Sequence, residues 1–274
     1  MTDARQASLA AVDIGNSRIK VGLFAHSDVA AAPSTELPRP SDTFSFLPDA
    51  GGLAGLAEWL APYAARDLSW WIGSVERTFA TRLLDWLRSA EASQVVLLSS
   101  SDLPLTVSLP RPDMVGIDRL LDAVGANRLR PSGQPAIVVD LGTAITVDLV
   151  SARGAFQGGA IMPGIAMSTR ALDEFTDLLP LIDMVGLAEP PPALGADTVA
   201  AMRSGLFWGA IGGIRQLIAE MSTASAGAAQ VYLTGGAAAS VASLVAPGAA
   251  YCPHLTLAAI ALVANEARNG SLGR

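Results

Sequence analysis

An internal repeat constrains the fold more than any other feature of the sequence. Val12-Asp13-Ile14-Gly15-Asn16 recurs as Val139-Asp140-Leu141-Gly142-Thr143, 127 residues further along the 274-residue chain. In each copy an apolar run (8–13, 136–139) ends at an aspartate, a glycine turns the chain, and a second apolar run (18–25, 145–150) returns. Ile19, Val21 and Leu23 alternate with other residues, the pattern of a half-buried strand, so each copy reads as a β-hairpin. The period far exceeds the roughly 20–50 residues of stacked solenoid repeats. It predicts two similar α/β halves, residues 1–131 and 132–274, facing each other across a cleft.

The rest of the chain alternates in the same manner. Helices are expected over 53–65, 78–90, 116–129, 198–218 and 256–265, and strands over 69–74, 94–99 and 230–234. The Pro-, Ser- and Thr-rich stretch 30–49 reads as loop plus one strand, and Pro104 to Pro112 as loop. Gly158-Gly159 and Pro163-Gly164 punctuate the second half. Residues 221–265 contain no Asp, Glu, Lys or Arg, but Gln230, Gly235, Gly236, Pro247 and Pro253 interrupt them. The stretch therefore reads as buried strand and helix rather than a membrane span.

Composition narrows the function. The net charge of −7 makes a general nucleic-acid binder a poor reading. The single cysteine, Cys252, excludes an intrachain disulfide and metal sites built on cysteine pairs, and no secretory signal is read. These features imply a cytoplasmic protein. Lys20 is the only lysine in the chain, and it lies in the first hairpin.

The repeated motif suits phosphate binding. A glycine at a hairpin turn lets backbone N–H groups approach an anion without Cβ obstruction. Asn16, Ser17, Thr143 and Thr146 add neutral donors. Asp13 and Asp140, at strand ends, can hold a cation or its bound water near phosphates. Lys20 shares a strand face with Arg18 and brings positive charge. Asp118 and Arg119 open a helix whose apolar stripe is Ile117, Leu120, Leu121 and Val124, which turns Asp118 away from the core. Gly116 before it permits close ligand approach. A carboxylate so placed can take the proton of a hydroxyl and aim that oxygen at a γ-phosphoryl group.

Five segments together resemble the type III pantothenate kinase family, within the superfamily of acetate and sugar kinases, actin and heat-shock chaperones. They are 13–18 (DIGNSR), 112–119 (PDMVGIDR), 140–144 (DLGTA), 158–164 (GGAIMPG) and 234–236 (TGG). The resemblance implies two actin-like, ribonuclease H-like α/β domains and ATP-dependent phosphorylation of pantothenate. It implies that Asp13, Ile14, Gly15, Asn16, Ser17, Arg18, Ile19 and Lys20, with Thr143, contact ATP. Gly116, Ile117, Asp118 and Arg119 would line the pantothenate site, Asp118 being the base, and Thr198 would be a further substrate contact. Asp140 would hold an activating monovalent cation, potassium or ammonium, and Mg2+ would accompany ATP. A homodimer is implied, with no nucleic-acid or membrane partner.

Three positions depart from the family pattern. Leu109 stands where a tyrosine is usual, Arg111 where an asparagine is, and Met114 where a glutamate is. They keep open a kinase of the same superfamily with another small hydroxyl or acid acceptor. A nucleotide-binding regulator without turnover is the other alternative, against which Asp118, Arg119, Asp140 and Thr143 all speak.

Overall fold

The computed structural model describes residues 8–49, 51–63, 67–184, 189–225 and 227–270. The first hairpin comprises β1 (Leu9–Ile14) and β2 (Ile19–Phe24), followed by α1 (His26–Ala31), β3 (Asp42–Phe46), α2 (Gly52–Leu60), β4 (Ser69–Ser74), α3 (Arg77–Ser89) and β5 (Gln94–Leu97). Helix α4 (Ile117–Leu129) leads to the second hairpin, β6 (Ala136–Leu141) and β7 (Ala144–Val150), and then to β8 (Phe156–Pro163) and α5 (Ile165–Glu174). The chain ends with α6 (Thr198–Ala224), β9 (Gln230–Thr234), α7 (Ala238–Val245), β10 (Ala250–Tyr251) and α8 (Leu255–Arg268).

The repeat extends from the motif to whole sheets. One sheet runs β3-β2-β1-β4-β5 and the other, read the same way, β8-β7-β6-β9-β10. In both, the first three strands are antiparallel and the last two join in parallel. The fold is thus α/β and actin-like, as the repeat predicts.

Strand alternation decides what each sheet face buries. In the first sheet Ala10, Val12, Ile14, Ile19, Val21 and Leu23 pack with Leu56 and Leu60 of α2 and with Phe79, Leu83 and Leu87 of α3. In the second, Val139, Leu141, Ile145, Val147 and Leu233 pack with Phe207, Ile211 and Ile214 of α6 and with Val241 and Val245 of α7.

The chain divides into two compact units, one of residues 1–131 with 254–274 and the other of 132–253. The expected second half, 132–274, is therefore corrected at its end: α8 belongs to the first unit. Every residue from Leu255 to Ala264 is buried. A Cβ on Gly125 of α4 would collide with Leu255, and Thr256 donates its hydroxyl hydrogen to Asp122 of α4 at 2.7 Å.

Other elements exceed the expectations. The glycine pair 158–159 lies inside β8 instead of ending a segment. A Cβ on Gly159 would strike the backbone of Val147 and Asp148 on β7, so the glycine permits close strand contact. Helices α1, α5 and α7 were not anticipated, and α6 runs to Ala224 rather than 218. No helix among the described residues is long and apolar enough to cross a membrane.

Candidate active site

Cross-strand partners point to the same face of a sheet. Lys20 of β2, Asp13 of β1 and Gly73 of β4 share one register, so they form a row across three strands. The row lies on the face opposite the α2–α3 core, under α4 and α8. A Cβ on Gly73 would lie 2.8 Å from Leu121 Cδ1, 3.6 Å from Ile260 Cδ1 and 3.9 Å from Ile117 Cγ2. Gly73 thus lets both helices descend onto the sheet beside Asp13. Sequence reading missed this glycine, because its importance appears only once the β1–β4 register is known.

The first hairpin turn is closed by the Gly15 N–H, which donates to the Arg18 carbonyl at 3.0 Å. Lys20 Nζ lies 3.7 Å from Asp13 Oδ2, with the lysine side chain 39% exposed and the aspartate 14%. Burial pushes the Asp13 carboxyl up to about 6; Lys20 opposes the rise and the Asp118 carboxylate adds to it. Asp13 and Asp118 are therefore within electrostatic reach of each other in the folded unit.

Asp118 is the second residue of α4, and Gly116 is its N-cap. The carboxylate folds back over the cap. Its Oδ1 accepts the Arg119 N–H at 2.8 Å and would lie 2.5 Å from a Cβ on Gly116. Glycine at 116 thus leaves room for the Asp118 side chain itself, a reason additional to ligand approach. Ile117 is buried, whereas Asp118 and Arg119 are half-buried and point away from the core.

His254 enters the same neighbourhood. It precedes α8 with φ +62°, a left-handed conformation that few residues other than glycine adopt. Partial burial and then the charge of Lys20 lower its pKa. It lies outside every motif, and only the folding of α8 onto β2 brings it near Lys20.

The second hairpin differs by one residue. Ile14 pairs with Ile19 across a four-residue connection, whereas Leu141 pairs with Ile145 across three. Asp140 consequently faces Thr146 on one side and Thr234 on the other, where Asp13 faces a lysine. A Cβ on Gly235, whose φ is +95°, would collide with Asp140 Oδ1, and one on Gly142 would lie 3.5 Å from Oδ2. The Gly164 N–H donates to the Thr143 carbonyl at 3.1 Å, and a Cβ there would strike that same carbonyl. A carboxylate cradled by glycines and flanked by two threonines is an all-oxygen donor set, which fits a hard cation.

The structure thus brings Asp13, Lys20 and Asp118 together in the first unit, with the turn 15–18 beside them. In the second unit it gathers Asp140, Thr143 and the Thr234–Gly236 turn. Thr198 stands apart from both hairpins, exposed at the first position of α6, whose N-cap Asp197 accepts the Ala200 N–H at 2.8 Å.

Two copies of one five-stranded topology, each with an aspartate at a hairpin turn, define the class: a kinase-like α/β protein of the actin-like fold. The activator of 2-hydroxyisocaproyl-CoA dehydratase from Clostridium difficile, solved with bound ADPNP, shares that fold at a TM-score of 0.52. The match covers 96% of each chain at 13% identity. The ethanolamine utilization protein EutJ from Carboxydothermus hydrogenoformans also matches, with a TM-score of 0.50, 14% identity and coverage of 93% of this chain and 89% of that one. Sequence comparison is more specific, for the family model of type III pantothenate kinase matches residues 9–220. The type III pantothenate kinase of Rhodopirellula baltica is 36% identical, over 82% of this chain and 86% of its own. That of Desulfosudis oleivorans is 30% identical, over 94% and 99%. The chain belongs to the type III pantothenate kinase family.

Proposed function

We propose that the chain transfers the γ-phosphoryl group of ATP to the primary hydroxyl of pantothenate, giving 4'-phosphopantothenate, the first committed compound on the way to coenzyme A. The observation that carries this reading beyond family membership is the convergence of Asp118 on the Asp13–Lys20 pair, which puts a candidate base beside a candidate phosphate cradle.

The residues divide the work. The turn Gly15–Arg18, flanked by Asp13, Ile14, Ile19 and Lys20, offers backbone N–H groups and one ammonium to the phosphates of ATP, and Thr143 adds a hydroxyl. Lys20 neutralises charge on the transferring group, which matters most in a loose transition state. Asp118 accepts the hydroxyl proton and aims the oxygen, held by its bond to the Arg119 N–H. Gly116, Ile117 and Arg119 line the acceptor, with Thr198 as a further contact.

Asp140, with Thr146 and Thr234, would hold a monovalent cation, potassium or ammonium. Such a cation offsets phosphate charge when bound. Mg2+ accompanies the nucleotide, with Asp13 placed to hold its water. The working protein is a cytoplasmic homodimer. Phe175, Leu178 and Leu181, 79%, 88% and 59% exposed within seven residues, support a partner surface.

Complementation of a strain lacking pantothenate kinase tests the reading. The wild-type gene should restore growth without added coenzyme A precursors, and Asp118→Asn should not. Failure of the wild-type gene, with the protein expressed and folded, would reject pantothenate as the acceptor.

A further inference from the structure

Arg111 and Asp113 form a two-point bond on the surface that leads into the acceptor motif. Arg111 Nε donates to Asp113 Oδ1 at 3.0 Å and Nη2 donates to Oδ2 at 2.8 Å. This is the geometry in which a guanidinium grips a carboxylate. Both side chains are open to solvent, at 70% and 60%. The pair sits on a 3-10 turn, Pro112–Met114, from which Val115 and Gly116 run directly into α4 and Asp118.

The turn does not depend on the ion pair. Pro112 presets its first dihedral, and the Met114 and Val115 N–H groups donate to the carbonyls of Arg111 and Pro112 at 3.2 and 3.3 Å. An exposed ion pair contributes little to stability. The fork is therefore pre-formed, solvent-accessible and structurally dispensable, and it is filled by a carboxylate of its own chain.

Pantothenate is an elongated molecule with its reactive hydroxyl at one end and a carboxylate at the other. If Asp118 takes the hydroxyl end, the carboxylate must be met some distance away. Leu109, an apolar residue in the same loop, cannot meet it. We propose that Arg111 is a specificity residue that grips the carboxylate of the acceptor, and that Asp113 fills the fork while no acceptor is bound. The assignment rests on the acceptor reading above and adds to it the residue that selects an acid over its neutral analogue. Asp113 acts as an internal competitor, and it also keeps the guanidinium extended and oriented before binding.

The test compares pantothenate with pantothenol, in which the carboxylate is replaced by an alcohol, through the ratio of the two kcat/KM values. Arg111→Ala should lower the preference for pantothenate about tenfold, the low end of a charge-assisted hydrogen-bond pair. Arg111→Lys, which keeps the charge but not the fork, should fall between. Asp113→Asn should raise the preference by about two- to fivefold, the strength of an exposed ion pair. An Arg111→Ala variant that changes kcat/KM for both acceptors by the same factor would overturn the proposal, because the arginine would then serve only the turn. A lowered preference in Asp113→Asn would overturn the competitor role. A wild-type protein that phosphorylates neither compound would reject the underlying reading before any variant is compared.

Discussion

Lys20, the only lysine of the chain, stands directly across the first hairpin from Asp13, its Nζ 3.7 Å from Oδ2. In the second hairpin, one residue shorter in its connection, the partner of Asp140 is Thr146. A single residue of loop length thus separates two chemistries built on one motif. The first aspartate carries its own cation, whereas the second is left among oxygen donors. That difference is why a phosphate-neutralising role suits the first turn and an exogenous cation the second.

Asp13 makes a pH prediction. Its pKa, ordinarily 3.8, is raised to about 6 in the folded protein, chiefly by burial. An acid that binds its proton more tightly when folded costs the native state free energy once it ionises. That cost grows as pH rises from about 4 to 6 and is constant above. Asp13→Asn removes it. The stability of the variant relative to wild type should therefore improve across this window, by at most about 3 kcal/mol, and level off above pH 6. Urea denaturation of both proteins at a series of pH values checks the sign; a difference that does not vary with pH would contradict the assignment.

The cation prediction concerns Asp140. Phosphoryl transfer should run markedly faster in potassium or ammonium salts than in sodium salt at equal ionic strength. The wild-type protein should also melt at higher temperature in the activating salts, since a ligand that binds only the native state stabilises it. Asp140→Asn should lose both distinctions. Equal rates and equal melting temperatures in all three salts would exclude a cation at this site.

Asp118→Asn preserves size and removes the proton acceptor. The variant is expected to fold and to bind ATP nearly as the wild type does, while kcat falls by roughly 10²–10⁴, the span of general-base contributions. Calorimetry for nucleotide binding, paired with a coupled assay for turnover, separates the two effects. Near-normal turnover would reduce Asp118 to a helix-start acid favoured by the dipole.

Thr256→Val tests the clamp between α4 and α8. Valine keeps the shape but withdraws the hydroxyl that Asp122 accepts at 2.7 Å in a buried setting. Loss of one donor to a buried carboxylate should cost about 1–3 kcal/mol. It should register as a lower denaturation midpoint with little change in the slope of the transition. An unchanged midpoint would mean that apolar packing alone, including Leu255 against Gly125, seats α8.

Much of this molecule was legible in its sequence. The two aspartate–glycine turns marked both hairpins, because strand periodicity and turn chemistry are local and survive without the fold. The strand over 69–74 and the starts of α4 and α6 were legible for the same reason. The short helices α1, α5 and α7 were not. At six to ten residues each, they carry too few turns for a periodic stripe to stand out, and their existence depends on the surfaces they cover.

The sequence by itself determined that the chain is a duplicated α/β protein with a glycine turn and an aspartate in each half, since these follow from residue types a few positions apart. Only the tertiary structure decided where α8 goes. Its apolar residues would bury equally well against either half. The choice fell to the fit of Leu255 against Gly125 and of Thr256 against Asp122, partners about 130 residues distant in sequence. Tertiary structure likewise decided that Lys20, Asp13, Gly73, Asp118 and His254 share one neighbourhood. Strand register and the seating of two helix starts on one sheet face are properties of the assembled unit, and no spacing within the sequence encodes them.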